Sequence, residues 1–179
     1  MNLLARLLVL LAAARFRSPV GIFGPCVTPF RCLPTDLDVL RHMNNAKYFS
    51  LMDLARVDLM IRSGLSRTIA KQRWYPVVAS ETIRFFRSLT LFQTFNVETT
   101  VLGWDDHAFL IAQRFVTPSA VAADAVVRAR FLKRAGGTVT TAEFLSAAGV
   151  HAASPVLPDW VAEWNTAQKM PAPLGHPRP

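Results

Sequence analysis

The 179 residues of this chain are a length typical of one domain, and they are enough to bury a substantial hydrophobic core. Hydrophobic residues make up 51% of the chain and charged residues 18%, a composition that excludes general disorder. The formal net charge of +8 favours polyanionic partners, namely nucleic acid, anionic lipid or a phosphorylated cofactor tail. Because the sequence has no RNP-like strand, zinc-finger spacing or arginine-rich tail, we expect no nucleic-acid partner.

The N-terminal segment, residues 1–20, is apolar and basic. Arginines flank its apolar run, residues 7–14, at Arg6, Arg15 and Arg17. A run this short cannot cross a bilayer as a helix. A signal-peptide core is one interpretation, but no small-x-small cleavage site follows the arginines. We expect instead an amphipathic helix that rests on a membrane or on the domain itself. The expected localisation is cytoplasmic, with a peripheral membrane contact through residues 1–17 in the first of these cases.

A first strand is predicted over residues 23–33, and Pro34 ends it. Cys26 and Cys32 would lie on the same face of this strand, about 20 Å apart. This separation is too large for a disulfide within the strand. We therefore interpret both cysteines as small buried hydrophobic residues.

A long helix is predicted over residues 45–62. Asn44 is the expected N-cap, because its side-chain oxygen can accept a hydrogen bond from the first turn, and Gly64 is a favourable stop residue. Apolar side chains cover most of the circumference, which predicts a helix that is enclosed on nearly all sides. Asp53 and Arg56, three residues apart, are predicted to pair. A narrow polar stripe remains, made of Lys47, Ser50, Asp58 and Arg62.

After a polar connector, residues 66–74, the hydrophobic period changes to two, as in strands. Short separators favour hairpins between the four predicted strands, residues 76–87, 95–104, 108–117 and 121–134. Residues 138–146 are predicted to form a last strand or a short helix, and residues 158–169 a short helix. We expect residues 170–179 to be a mobile tail.

A sheet that curls around a single apolar helix satisfies both elements, because each buries its hydrophobic face against the other. The predicted fold class is therefore α+β: a hot-dog fold, with an antiparallel sheet wrapped around one long central helix. It occupies residues 21–150, and residues 151–179 form a C-terminal extension. Because one sheet covers only part of the helix, we expect a homodimer with its sheets side by side, or a tetramer of such dimers.

The loop that enters the helix, within residues 36–48, carries acids, a histidine and two asparagines. Thioester hydrolysis needs a carboxylate that attacks the carbonyl or activates water, and donors that stabilise the oxyanion. Asp38 lies shortly before a helix N-terminus, whose free N–H groups and positive dipole end could supply such a donor at Asn45. The alternative is that the polar residues of this loop only make turn and cap hydrogen bonds.

The stretch DLDVLRHMNNAKYFSLMDLAR, residues 36–56, resembles the signature of the 4-hydroxybenzoyl-CoA thioesterase-like hot-dog family. In that family D-x-D-x-x-x-H-x-N-N-x-x-Y precedes the central helix. The stretch is most similar to the thioesterase superfamily member 6-like branch, and the following strand order extends the resemblance over roughly residues 25–150. The resemblance implies an acyl-CoA thioesterase of fatty acid metabolism that releases free acid and coenzyme A. It implies no cofactor, since coenzyme A is part of the substrate.

The resemblance also implies roles for residues of this loop. Asp38 is the catalytic carboxylate, the N–H of Asn45 polarises the thioester carbonyl, and His42 orients Asp38 or the attacking water. Asn44 and Tyr48 are expected at the substrate, with Tyr48 lining the acyl or pantetheine channel.

Leu40 is the position at which this loop departs from a related pattern. Plant acyl-carrier-protein thioesterases share the loop but have an asparagine two residues after the acid, so their asparagine-assisted mechanism is not carried over to this chain. This departure and the apolar N-terminus motivate an alternative: a non-catalytic acyl-CoA- or acyl-chain-binding hot-dog protein associated with a membrane. A hot-dog dehydratase or hydratase is a third hypothesis, although the helix-entry motif resembles the hydrolase version.

Two further groups are candidate substrate contacts. Glu81 lies on an apolar strand face and is a candidate second acid near Asp38, with an arginine partner or an edge location as the alternative. Arg128 and Arg130 follow one strand and are candidate contacts for the phosphates of coenzyme A, with a solvated strand face as the alternative. The sequence has neither a phosphate-cradling glycine loop nor a metal motif.

Overall fold

The computed structural model describes residues 3–169, so the tail at residues 170–179 that we expected to be mobile lies outside the described residues. The helices are α1 (Leu3–Ala14), α2 (Asn45–Arg62), α3 (Leu65–Lys71), α4 (Thr141–Ala147) and α5 (Asp159–Ala167). The strands are β1 (Cys26–Arg31), β2 (Trp74–Phe85), β3 (Thr94–Trp104), β4 (Phe109–Val116), β5 (Val121–Lys133) and β6 (Thr138–Val139).

One antiparallel sheet holds all six of these strands, in the order β1-β3-β4-β5-β2, with the short β6 paired to β5. The hairpins predicted between β3 and β4 and between β4 and β5 are present, but the one predicted between β2 and β3 is wrong. Strand β2 instead crosses over to pair with β5, so it forms one edge of the sheet. The apolar face of the sheet packs on α2, and the shared core includes Leu51, Met52, Val97, Phe115 and Val127. The predicted hot-dog fold is confirmed.

Helix α2 has the predicted bounds and the predicted cap, since the side chain of Asn44 accepts a hydrogen bond from the N–H of Ala46. Gly64 follows with φ +80°, a left-handed conformation that favours glycine at a helix end. The predicted polar stripe is wrong at Asp58, which is 0% exposed. Thr28, Arg17 and Arg62 all donate to its carboxylate, and these partners make its burial tolerable.

The connector predicted at residues 66–74 is wrong, because the chain forms helix α3 there and then begins β2 at Trp74. Leu65 and Ile69, four residues apart, share the buried face of α3. The two alternatives for residues 138–146 are both realised in part, since the short strand β6 precedes helix α4.

The N-terminal segment forms helix α1, which packs beside α2. Its buried residues are Arg6, Leu10 and Ala14, and the guanidinium of Arg6 is paired with the carboxylate of Asp36. Several of its leucines point outward, among them Leu4 and Leu8. Among the described residues, no helix is both long and apolar enough to cross a membrane. Both cysteines, Cys26 and Cys32, are free and buried, as predicted.

Candidate active site

The loop between β1 and α2 forms a small hairpin. Its two sides are joined by an isolated bridge between Leu37 and Met43, and the N–H of Asp38 donates to the carbonyl of His42 at 2.9 Å. Arg41 turns the chain with φ +62°, a conformation in which L side chains are strained. The hairpin therefore folds Asp38 back beside His42, only two residues before the N-cap of α2.

The carboxylate of Asp38 is held by the backbone of its own turn. Its Oδ1 accepts hydrogen bonds from the N–H of Leu40 at 2.8 Å and of His42 at 3.3 Å. Its Oδ2 accepts no hydrogen bond from residues 3–169, and the side chain is only half-buried. One oxygen is thus fixed by the fold while the other is available to a ligand or a water molecule. Leu40 acts here through its backbone N–H, which any residue except proline would supply.

Asn44 and Asn45 begin helix α2. The Oδ1 of Asn44 accepts from the N–H of Ala46 at 2.9 Å, so this side chain serves as the cap. The N–H of Asn45, at the first helical residue, finds no acceptor in the part of the chain that the structure describes. It lies at the positive end of the helix dipole, where a developing anion is stabilised.

His42 contributes its backbone rather than its ring to this arrangement. Its N–H reaches Asp38, and an isolated bridge joins its backbone to Thr90. The imidazole is exposed and makes no hydrogen bond to Asp38. The expectation that His42 orients Asp38 therefore stays a prediction for the ring, while the backbone N–H already holds the carboxylate.

Tyr48, expected to line a substrate channel, lies in the core instead. It is 2% exposed and packs its ring against Phe85 and Phe115, with centroid distances of 4.9 and 4.8 Å. Burial raises the pKa of its phenol, and a hydrogen bond to the backbone of Leu89 opposes this rise. Its helical position places it on the face of α2 that meets the sheet.

Glu81 is partly buried on the edge strand β2. Burial raises the pKa of its carboxyl, the charge of Arg56 lowers it and that of Asp53 raises it. The charged residues that shift the pKa of Glu81 therefore lie near the middle of α2, and Asp38 is not among them. The nearby Arg84, on the same strand, does not pair with Glu81 and instead donates two hydrogen bonds to Asp124, at 2.9 and 2.8 Å.

Arg128, a candidate contact for coenzyme A phosphates, is 2% exposed. It donates to Asn165 at 2.7 Å and to Asp105 at 3.0 Å, beneath helix α5 of the C-terminal extension. This is a correction to the sequence-based prediction, because its guanidinium is already engaged and shielded from solvent. Arg130, two residues along β5, is only partly buried, and burial together with the charge of Arg128 lowers its pKa.

A cavity of about 300 Å³ lies between α2 and the sheet, and sequence analysis did not predict it. All but two of the residues that line it are apolar; the exceptions are Asp53 and Arg56, which form the predicted ion pair. Arg56 also donates to the buried Oε1 of Gln113 at 2.5 Å. Gln113 stands at an inward position of β4 among apolar residues, and this break in the alternation is the signal in the sequence that could have indicated a polar group inside the fold.

Solved structures confirm the fold class. The probable thioesterase YbaW of Escherichia coli superposes with a TM-score of 0.64 at 20% identity, covering 68% of this chain and 95% of that chain. 4-Hydroxybenzoyl-CoA thioesterase, solved as a mutant in complex with 4-hydroxybenzoyl-CoA, gives a TM-score of 0.60 at 16% identity, covering 68% of this chain and 96% of that chain. At such identities the likeness concerns the fold: the protein is a hot-dog domain.

A model of the Thioesterase-like superfamily matches residues 32–165, and the chain belongs to this superfamily. Curated relatives include Protein THEM6 of Danio rerio, 35% identical over 131 residues, which are 73% of this chain and 65% of that protein. Protein THEM6 of Xenopus laevis is 48% identical over 84 residues, which are 47% of this chain and 41% of that protein. The matched segments thus cover less than two thirds of the length of these relatives.

Proposed function

We propose that the protein is an acyl-CoA thioesterase, which hydrolyses an acyl thioester to free acid and coenzyme A. The observation that carries the proposal is the position of the Asp38 carboxylate in the hairpin that leads directly into the unpaired N–H of Asn45. Membership of the Thioesterase-like superfamily supports the same reaction class. One of the solved structures with a similar fold is described as a gentisyl-coenzyme A thioesterase, which is an enzyme of the proposed reaction class.

In the proposed reaction the thioester carbonyl lies over the N-terminus of α2. The free Oδ2 of Asp38 takes a proton from a water molecule, whose oxygen attacks the carbonyl carbon. The carbonyl electron pair moves to the oxygen, and the N–H of Asn45 and the helix dipole stabilise the resulting oxyanion. Collapse of this intermediate breaks the C–S bond, and the thiolate leaves with the proton that Asp38 carried. Direct attack by the carboxylate, through an anhydride, is a second form of the same proposal.

The proposed assembly is a homodimer with two sheets joined side by side, which could pair again into a tetramer. Strand β2 is an edge strand, and edge strands offer unpaired backbone groups to a second chain. Large apolar side chains are exposed on and beside this strand, including Tyr75, Val78, Phe85 and Phe86. A partner seated here would cover that apolar surface and the neighbouring side of α2.

Arg130 stays a candidate contact for the phosphates of coenzyme A. Arg128 is no longer a candidate contact, because its guanidinium is buried and already bonded.

The test compares Asp38→Asn with Asp106→Asn, which alters an exposed aspartate in the β3–β4 loop. Thiol release from a panel of acyl-CoA esters is measured for both variants and the wild type, and melting temperature checks the fold. We expect Asp38→Asn to lose at least about 100-fold in kcat/KM, the lower end of the range for general acid–base catalysis, while Asp106→Asn stays near the wild type. A folded Asp38→Asn protein with a near-wild-type rate would contradict the proposal.

A second candidate function is non-catalytic binding of acyl-CoA at a membrane surface. The observation that favours it is the burial pattern of α1, in which the charged Arg6 is buried. Apolar side chains are exposed to solvent instead: Leu4, Leu8 and Val9 are 60%, 59% and 60% exposed. Phe16, just after the helix, is 91% exposed and stands between Arg15 and Arg17. An apolar helix face beside basic residues is suited to an anionic lipid surface.

Two measurements separate the candidates. Saturable acyl-CoA binding without thiol release at any chain length would favour the binding protein over the enzyme. For the membrane contact, flotation with anionic vesicles is compared between the wild type and a Leu4→Ser, Leu8→Ser variant. Equal flotation of both proteins would exclude α1 as the lipid contact.

A further inference from the structure

We propose that Arg6, on the N-terminal helix α1, is a positioning residue for the candidate active site. It acts through Asp36, which fixes the loop that carries Asp38 and leads to Asn45. The inference rests on the proposed function and adds to it a residue from a distant part of the chain. Arg6 lies outside residues 32–165, the part of the chain that the family model matches.

Arg6 lies on the inward face of α1, where a helix normally presents apolar side chains. It is the only charged residue of α1, and it shares the buried face with Leu10 and Ala14, at a spacing of four residues. A guanidinium on a buried face is costly unless it is paired. The partners of Arg6 therefore decide what it does at this position.

The guanidinium of Arg6 holds both ends of the turn that follows β1. Its Nη2 donates to the carboxylate of Asp36 and, at 3.2 Å, to the carbonyl of Arg31, the last residue of β1. The same oxygen of Asp36 also accepts from the N–H of Leu33, at 2.8 Å. One nitrogen of α1 is thus bonded to the chain on either side of the 3-10 turn Pro34–Asp36.

Asp36 connects the two groups that the proposed reaction uses. Asp38 follows it by two residues, and the backbone carbonyl of Asp36 accepts from the N–H of Asn44 at 2.8 Å. Asn44 directly precedes Asn45, whose N–H is the proposed oxyanion donor. The position of Asp36 therefore affects both the carboxylate that activates water and the donor that stabilises the oxyanion.

A buried charged pair supplies geometry more than it supplies stability. Replacement of a whole buried ion pair by well-packed apolar residues is often neutral or stabilising, but apolar contacts are not directional. The bonds from Arg6 keep Asp36 at one position relative to α1 and the end of β1. Reaction rates are sensitive to this kind of constraint, because a displacement of about 1 Å can cost about 100-fold. We therefore expect the pair to affect the rate of the chemical step.

The test compares two Arg→Leu substitutions in the same N-terminal segment. Arg6→Leu removes the bond to Asp36, and Arg17→Leu removes a bond to Asp58, another buried carboxylate. Because Asp58 lies about 20 Å along α2 from Asn45, Arg17→Leu is the matched control. Circular dichroism and melting temperature establish that both variants fold, and rates are measured well below the lower melting temperature.

The measured quantities are kcat and KM for an acyl-CoA ester that the wild type hydrolyses. We expect Arg6→Leu to lose at least about tenfold in kcat, with KM within about twofold of the wild type, because the bonds of this arginine go to the protein rather than to substrate. Arg17→Leu should keep both values near those of the wild type. Equal losses of kcat in the two variants, or a loss that appears only in KM, would overturn the inference.

A double variant separates positioning from stability. Arg6→Leu with Asp36→Asn removes the unpaired buried charge, and the asparagine oxygen can still accept from the N–H of Leu33. This protein should therefore recover much of the melting temperature that Arg6→Leu loses. Its kcat should stay low, because the turn is no longer bonded to α1. Recovery of kcat together with the melting temperature would contradict a positioning role.

The conservative variant Arg6→Lys tests the contact itself. Because the single Nη2 of Arg6 donates to both Asp36 and Arg31, an ammonium group with three donors can make the same two bonds. We expect Arg6→Lys to have a kcat at least about threefold higher than that of Arg6→Leu. An equally low kcat in the lysine and leucine variants would count against the contact.

Hydrogen exchange tests the inference without enzymatic activity. The amides of Leu40, His42 and Asn44 donate hydrogen bonds that hold the loop, and their exchange reports its local opening. Arg6→Leu should speed their exchange more than that of the core strand β4, and Arg17→Leu should not. If the wild type hydrolyses no acyl-CoA, the proposed function fails, yet this result would still assign Arg6 to the position of the loop. Unchanged exchange at these amides, or an equal effect of Arg17→Leu, would refute the inference whatever the activity.

Discussion

Arg6 and Asp36 form an ion pair in which both side chains are almost completely buried, with 6% and 3% exposed. The pair joins helix α1 to a 3-10 turn, Pro34–Asp36, at the start of the candidate catalytic loop. Asp36 is also the acceptor for the N–H of Leu33, and its carbonyl accepts from the N–H of Asn44, the cap of α2. The buried residue Asp36 therefore connects α1, the segment just after β1 and the start of α2.

Loss of the Arg6 charge is expected to destabilise the protein strongly. Arg6→Leu leaves the Asp36 carboxylate buried without its counter-charge, which should lower the free energy of unfolding by about 3 kcal/mol. Urea unfolding measures this change. Arg15→Leu, at an exposed position just after α1, is the control and should change stability by less than about 0.5 kcal/mol. If Arg6→Leu matched the control, the pair would not stabilise the loop.

Asp58 is expected to matter far more for stability than a surface aspartate in an ion pair. Asp58→Ala leaves the guanidinium groups of Arg17 and Arg62 without their shared carboxylate, at a cost of about 3 kcal/mol in the free energy of unfolding. Asp124→Ala removes a pair with Arg84 that is largely solvent-exposed, and should cost at most about 1 kcal/mol. Equal losses in the two variants would show that burial does not set the difference.

Asp105 is expected to stabilise the docked C-terminal helix in a pH-dependent way. Burial raises the pKa of its carboxyl, but hydrogen bonds from the N–H of His107 and the side chains of Asn165, Arg128 and Lys169 outweigh it and hold the pKa well below its ordinary value of 3.8. A depressed pKa in the folded state stabilises the protein above the ordinary value, and this contribution is lost as the pH falls through the folded-state pKa.

Asp105→Asn should therefore be less stable than the wild type at pH 7, by about 1–2 kcal/mol after allowance for solvent screening. The difference should shrink as the pH falls below 3.8, where the wild-type carboxyl begins to lose its advantage. Unfolding by urea at pH 7, 5 and 3 measures it. Asp106→Asn, at the exposed neighbouring residue, should show no such trend. A gap that stayed constant with pH would be the contrary result.

Glu81 is expected to show the opposite dependence. Burial raises the pKa of its carboxyl above the ordinary 4.5, so the folded state binds a proton more readily than the unfolded state does. The stabilisation is then present below the ordinary value and is lost as the pH rises through the folded-state pKa. Glu81→Gln should flatten this slope and melt at a higher temperature than the wild type at pH 7, with the difference vanishing near pH 4. A lower melting temperature at pH 7 would show that attraction to Arg56 outweighs burial.

Much of the fold could be predicted because its determinants are local. The bounds of α2 follow from its cap at Asn44 and its stop at Gly64, both of which act within a few residues of the helix end. The bounds of strands β2 to β5 were predicted to within about two residues, because alternation with period two is a local pattern. The pairing of β2 with β5 was not predicted, because it joins residues that are far apart in the sequence. The connector was mistaken for a loop because the short helix α3 has only Leu65 and Ile69 as a buried pair.

For the candidate site too, some features follow from the local sequence and others depend on contacts between distant residues. The sequence by itself determined that Asp38 precedes a capped helix start, because a loop of a few residues leaves little freedom, and that the helix would be enclosed. Only the tertiary structure decided which charges are buried: Asp36 pairs with Arg6 from 30 residues away, and Arg128 is bonded to Asn165 from 37 residues away. The cavity beside Arg56 was beyond sequence analysis for the same physical reason, since its wall is assembled from helices and strands that meet only when the sheet closes around α2.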